Sequence, residues 1–275
     1  MPEPSLVATH YARDGLLEAI VAGMAKLGKT PESVALDDLA PVDEFHIGGR
    51  GATASFLDQV GLGAADHVLD VGCGLGGASR FAADRYQCRV TGIDLTQDYV
   101  ETGTTLCGWL GLADRIGLEQ GDATATTYAD GVFDKAFMLH VGMNIADKAA
   151  LAAELHRVLK PGGTLGIYDV MRTGDGELTY PVPWAMTADG SAVASPNDYK
   201  AALEAAGFRI TAERNRRAFA LDFFARLQAT AASGPPPLGL HILMGETART
   251  KVLNIIENIT ENRVAPVELI AKKSV

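Results

Sequence analysis

Apolar positions follow two different periods along this chain, and the two alternate. Over residues 14–28, Leu16, Leu17, Ile20, Val21, Met24 and Leu27 recur at three- and four-residue spacing. This predicts an amphipathic helix, with Asp14 as its cap and Gly28 as its stop. Pro31 and Pro41 punctuate the next stretch as turns, and a short helix is expected over 53–60. Compact apolar runs at 67–71, 89–94, 116–121, 133–139 and 164–168 then read as strands, with helical patterns at 76–86, 97–110 and 147–159 between them. Alternation of this kind predicts a parallel, doubly wound sheet with right-handed crossovers. Ligands of such sheets gather at the carboxyl ends of the strands.

Past residue 168 the pattern loosens. Residues 169–196 carry little periodicity, and a segment of that length is expected to be a packed lid built around Tyr180 and Trp184. "NDYKAALEAAGF" predicts a helix ending at Gly207, and "FRITAERN" a strand. Helices are expected over 221–233 and 243–262, separated by "GPPPLG", and "VAPVELIAKK" reads as a final strand. The apolar face Val252, Ile255, Ile256 and Ile259 is expected simply to pack on the sheet.

The chemistry concentrates in "VLDVGCGLGGASRFAADRYQCRVTGIDLT", residues 68–96. Gly72, Gly74 and Gly77 fit the dinucleotide fingerprint, with Asp94 about twenty residues on. Gly72, Gly74 and Gly76 equally fit the acid-led turn that holds S-adenosylmethionine (SAM), with Asp70 as the acid. A pyrophosphate gains nothing from an acid beside a helix N-terminus. SAM carries no phosphate and presents an ammonium, a sulfonium and a ribose diol, which suit carboxylates. Asp70, Asp94 and Asp122 each end a successive strand and therefore favour SAM. Asp70 is placed at the ammonium, Asp94 at the ribose hydroxyls, and Asp122 at the adenine amino group.

Composition narrows the partners. The 275 residues are 47% hydrophobic and 21% charged, with a net charge of -10. That suits one large α/β domain with appended helices, or at most two domains, with a real core, and argues against a nucleic-acid phosphate backbone as partner. Cys73, Cys88 and Cys107 form no disulfide or metal-site pattern, so no metal is expected and a reducing, cytoplasmic setting fits. "MPEPSLVATH" lacks the features of a leader, and no run approaches a membrane span, so neither is expected. A homodimer is compatible with the sequence, but nothing selects it.

"LDVGCGLGG", "GID", "GDA" and "VLKPGGTLGIYD" together resemble the successive motifs of class I SAM-dependent methyltransferases, over residues 45–273. The resemblance implies a Rossmann-like seven-stranded sheet with an antiparallel last strand and S-adenosylhomocysteine as product. It implies an N-terminal helical arm or lid over 1–52 and a catalytic domain over 53–275. A lid insertion is expected over roughly 170–196 and a helical insertion over roughly 220–262. Cofactor contacts are expected from Asp70, Gly72, Gly74, Gly76, Asp94, Leu95, Asp122, Ala123 and Leu139. "LAPVDEFHIGGRGAT", "LHVGMNIADK" and "YPVPWAMTADG" are similar to sarcosine/dimethylglycine-like and ubiquinone/menaquinone-like small-molecule methyltransferases. The acceptor implied is therefore a small molecule, with an amine slightly favoured. O- or C-methylation of a natural product or quinone, and a non-methylating cyclisation on the same fold, stay open. His140 and His46 are the candidate bases, His140 alternatively a helix cap. Tyr11, His46, Asn144, Tyr168, Asp169 and Trp184 are the expected substrate contacts.

Overall fold

The computed structural model describes residues 4–230 and 236–274. Four helices come first: α1 (Pro4–Tyr11), α2 (Leu16–Lys26), α3 (Leu36–Asp43) and α4 (Gly49–Val60). Strands and helices then alternate through β1 (His67–Val71), α5 (Gly77–Tyr86), β2 (Arg89–Asp94), α6 (Gln97–Trp109), β3 (Ile116–Gln120), β4 (Phe133–Leu139), α7 (Lys148–Val158) and β5 (Leu159–Arg172). The chain closes with α8 (Pro196–Ala205), β6 (Phe208–Asn215), α9 (Arg217–Thr230), α10 (His241–Met244), α11 (Ala248–Thr260) and β7 (Val264–Lys273).

The seven strands form one sheet in the order β3-β2-β1-β4-β5-β7-β6. The pairs from β3 to β5 are parallel, and β7 runs antiparallel between β5 and β6. Successive side chains of a strand point to opposite faces, so each strand feeds two cores. Leu69, Met138 and Ile167 join Leu155 of α7 and Leu203 of α8 on one face. Val68, Phe137 and Tyr168 join Phe56 of α4 and Ala82 of α5 on the other. Chain order reverses between β1 and β4, which opens a crevice at their carboxyl ends.

Two smaller apolar clusters roof that crevice. One joins Leu16, Ile20 and Met24 of α2 to Leu39 of α3, Tyr99 and Leu106 of α6, and Leu243 of α10. The other joins Ile47, Met143, Trp184, Phe224 of α9 and Ile255 of α11.

Several local expectations change. Asp14 does not cap α2; Gly15 occupies that position in a left-handed conformation, without a side-chain cap. Residues 36–43 are helical with Pro41 inside the helix, not a turn. The helix expected over 221–233 begins earlier, at Arg217, and its last three residues lie outside the described residues. The helix expected over 243–262 is divided into α10 and α11. Asp147 does start α7, accepting the Ala150 N–H at 2.8 Å. Among the described residues no helix is long and apolar enough to cross a membrane.

Candidate functional site

The site begins where β1 stops. Gly72 turns the chain with φ +68°, and its N–H reaches the Ile93 carbonyl at 2.8 Å. A β-carbon there would sit 2.4 and 2.5 Å from the two methyls of Val141, which follows β4. Two loops thus pass too closely for any side chain, and the left-handed backbone adds its own cost. Gly72→Ala should therefore lose about 1–3 kcal/mol of stability from the backbone conformation alone, before the clash, read from its denaturant midpoint.

β2 delivers Asp94 beside that turn. Its Oδ2 accepts the Gly74 N–H at 2.9 Å and its Oδ1 accepts the Thr96 N–H at 2.9 Å. Asp122 is held likewise by the Thr124 N–H at 2.8 Å and the Thr124 hydroxyl at 2.7 Å. Asp70 accepts the Ser79 hydroxyl at 2.6 Å. Burial pushes Asp70 up to about 7; the Ser79 hydrogen bond opposes this and the charge of Asp94 adds to it. Burial also raises Asp94.

These residues open onto one cavity of about 660 Å³. Its walls include the expected Tyr11, His46, Asp70, Gly72, Gly74, Asp94, Leu95, Asp122, Ala123, Leu139, His140, Asn144 and Trp184. Tyr11 and Asn144 bridge α1 to the segment after β4, with Asn144 Nδ2 donating to the Tyr11 hydroxyl at 3.2 Å. Trp184 is a buried wall residue, and its indole N–H is already engaged, donating to Ser191 Oγ at 2.9 Å.

Three expected residues stand behind the wall. Gly76 caps α5 in a left-handed conformation, packed beside Leu118 and Arg80. Tyr168 is buried between the sheet and α4, its hydroxyl donating to the Ile47 carbonyl at 2.9 Å. Asp169 faces the opposite side, where Tyr199 of α8 donates to it. Burial lifts the Asp169 carboxyl to about 6, against the pull of Tyr199 and Lys148. The cause is strand length: β5 continues to Arg172, so Val170, not Asp169, reaches the cavity.

His140 follows β4 with φ +54°, a strained value for a non-glycine residue. Its Nδ1 lies 3.2 Å from the Tyr168 carbonyl and its Nε2 3.4 Å from the Ile47 N–H. Only the tautomer protonated at Nδ1 satisfies both. Burial, with His46 nearby, lowers its pKa to about 3. His140 is therefore a neutral strut between the sheet and the segment before α4.

Residues that the sequence reading had left aside complete the wall. Val252 and Ile255 of α11 and Phe223 and Phe224 of α9 line the cavity instead of only packing on the sheet. Their apolar stripes look the same along the chain whichever surface they face. Asp43, Glu44 and Tyr99 also line it.

The donor set can be tested against SAM. Asp43 Oδ2 and the Tyr99 hydroxyl are buried wall groups without a hydrogen-bond partner, as expected where a polar ligand completes the shell. Asp70, Asp94 and Asp122 sit on the same wall. No lysine or arginine is among the described wall residues, so a dinucleotide pyrophosphate finds no counter-charge. Among the described residues no group of three or more His, Cys, Asp or Glu could hold a metal ion. The residues fit SAM.

Comparison with known proteins gives the same assignment. Residues 68–163 match the family model described as a methyltransferase domain. The 2-methyl-6-phytyl-1,4-hydroquinone methyltransferase of Synechocystis is 39% identical over 171 residues, covering 62% of this chain and 51% of that protein. A phosphoethanolamine N-methyltransferase of Triticum aestivum is 36% identical over 126 residues, covering 46% of this chain and 25% of that protein. The chain thus spans about half or less of the length of these curated relatives. The crystal structure of the [4+2]-cyclase SpnF superposes with a TM-score of 0.70 at 22% identity, covering 100% of this chain and 98% of that one. That likeness concerns the fold alone. Residues 68–163 are thus a methyltransferase domain, and in its motifs and strand order the chain resembles the class I SAM-dependent methyltransferases.

Proposed function

We propose that the protein transfers a methyl group from SAM to a small, electrically neutral and largely apolar acceptor. Asp94 and Asp122 would hold the ribose and adenine, Asp70 the ammonium side, and Tyr11 would close over the cofactor. SAM supplies an electrophilic methyl on a positively charged sulfur. The chain's own work is to bind, align and dry the partners, because alignment supplies much of the rate in such displacements.

The observation that carries the acceptor class is the charge of the wall. Its charged described residues are the acids Asp43, Glu44, Asp70, Asp94, Asp122 and Asp147. Away from them the lining is Ile47, Met143, Trp184, Phe224, Leu243 and Ile255. A carboxylate or phosphate on the acceptor would be desolvated there with no partner. This weighs against sarcosine and dimethylglycine, the amines expected from the sequence, and favours a hydrophobic alcohol, phenol or quinol.

Calorimetry with S-adenosylhomocysteine, followed by mass spectrometry of its release from SAM across an acceptor panel, tests the reading. Turnover of neutral hydroxylated aromatics and prenylated quinols, with none on sarcosine, dimethylglycine or phosphoethanolamine, is the expected result. Turnover confined to the charged amines would overturn the acceptor class. Absent S-adenosylhomocysteine binding would overturn the whole assignment. Conversion of a substrate without release of S-adenosylhomocysteine would indicate cyclisation.

Asp70 adds a pH dependence. Its folded pKa of about 7 lies above the ordinary value of 3.8, so the native state binds more protons than the unfolded one between them. Ligand-free stability should accordingly fall as pH rises through that window. SAM affinity should run the other way, because a cationic ligand favours the ionised carboxylate. It should weaken by up to about tenfold per pH unit below about 7, with proton release visible in buffers of different ionisation enthalpy. A pH-independent affinity between about 6 and about 8 would remove Asp70 from the ammonium site.

A further inference from the structure

The segment between α3 and α4 carries a constellation that cofactor binding does not use. Glu44, His46 and Thr53 are buried together, with 5%, 9% and 0% of their surface exposed. His46 Nε2 lies 2.8 Å from Glu44 Oε2 and 2.9 Å from Thr53 Oγ1. The Thr53 hydroxyl donates to the same carboxylate oxygen at 2.5 Å. The Arg50 guanidinium pairs with the other oxygen, Glu44 Oε1. Burial pushes the Glu44 carboxyl up, but His46, Arg50 and Thr53 together hold it below the usual range.

An ionised carboxylate can only accept, so Glu44 fixes the His46 proton on Nε2. The lone pair is then on Nδ1, and Nδ1 is buried without a hydrogen-bond partner. A buried acceptor left unpaired is costly, and a ligand hydroxyl would satisfy it. His46 is a wall residue of the cavity, its ring centroid 5.9 Å from that of His140. The two imidazoles differ in what remains free. His140 has both nitrogens engaged. His46 has one nitrogen buried and unpaired and a carboxylate behind the other.

We propose that His46 Nδ1 accepts the proton of an acceptor hydroxyl, with Glu44 as its positioning residue, so that the site methylates oxygen. This rests on the methyl-transfer reading above. The acceptor oxygen forms the new oxygen–carbon bond as the methyl–sulfur bond breaks with its electron pair left on sulfur. The hydroxyl proton passes to Nδ1, and the imidazolium, paired with Glu44, later returns it to solvent. A tertiary amine has no proton to give and would leave this arrangement unused.

The test needs no identified substrate. Protein labelled with nitrogen-15 at histidine and loaded with S-adenosylhomocysteine is followed by NMR while millimolar 2-naphthol or naphthalene is added. Loss of S-adenosylhomocysteine binding in that sample would count against the cofactor assignment and is scored separately. The proposal expects His46 protonated at Nε2, an Nδ1 resonance shifted by 2-naphthol but not by naphthalene, and at least a halving of that shift in Glu44→Gln. A clasp that merely holds the lid would give the tautomer without the hydroxyl-dependent shift. A proton on Nδ1, equal shifts from both probes, a response at His140 instead, or no response of Nδ1 overturns the proposal.

Discussion

Replacing Asp94 by asparagine is expected to weaken S-adenosylhomocysteine binding by at least about 100-fold while the sheet stays folded. The carboxylate is the acceptor for two backbone donors, Gly74 N–H on Oδ2 and Thr96 N–H on Oδ1. Its remaining lone pairs are those assigned to the ribose diol. Hydrogen bonds to a charged group contribute about 1.5–3 kcal/mol each, so losing two reaches a hundredfold or more. Asparagine makes matters worse, because either orientation turns its NH2 toward one of those backbone donors. The glycine turn then loses an anchor as well as the ligand contact. A stability loss of about 1–3 kcal/mol should accompany the change, far less than unfolding requires. Calorimetry on the variant decides the matter: an affinity within about tenfold of the parent's would take Asp94 out of the ribose site.

The contrast between Asp94 and Asp169 explains what could be read in advance. Asp94 is placed by local chemistry, a strand of known length followed by a turn whose glycines are visible one by one. Asp70 and Asp122 are of the same kind, and the acidic part of the cavity wall was legible for that reason. Asp169 depended on where β5 ends, and β5 runs to Arg172 because β7 pairs with it as far as Val264. A long-range antiparallel partner leaves no mark near residue 169. The shift reassigned Tyr168 to the packing beneath α4 and Asp169 to the support of the turn after β4.

The apolar half of the cavity wall was hidden for a different reason. Phe223 and Phe224, Val252 and Ile255 sit on amphipathic helices whose apolar stripes satisfy the ordinary core pattern. Periodicity reports that a face is covered, not whether a sheet or a ligand covers it. Glu44 was missed although its partner His46 was singled out. The acid lies two residues before the histidine in an irregular segment, where no helical or strand spacing flags a shared side. Only the fold brings Thr53 and Arg50 of α4 back onto it.

Arg80→Met should cost about 3–5 kcal/mol of stability. Arg80 and Asp43 are both wholly buried, with Arg80 Nη2 2.5 Å from Asp43 Oδ1. The other guanidinium nitrogen donates to the Leu75 carbonyl at 2.6 Å, inside the glycine turn. One side chain thus ties α3 to the glycine turn. Removing it leaves a carboxylate in a dry site, and burial, which already pushes Asp43 up, is then no longer countered by the cation. Native Asp43 would keep its proton to higher pH than the unfolded chain does, so the loss should grow as pH rises above the ordinary carboxylate range. The double variant Arg80→Met/Asp43→Leu removes both charges and should recover at least half of the stability, since buried pairs are replaceable by apolar packing. It should not recover S-adenosylhomocysteine affinity, because the tether from Leu75 to α3 is still missing and the wall carboxylate of Asp43 is gone as well. Urea midpoints at two pH values and one calorimetric titration separate the outcomes. A single variant that loses less than about 1 kcal/mol would mean that the pair does not stabilise the fold, and a double variant that binds normally would mean that it does not couple α3 to the glycine turn.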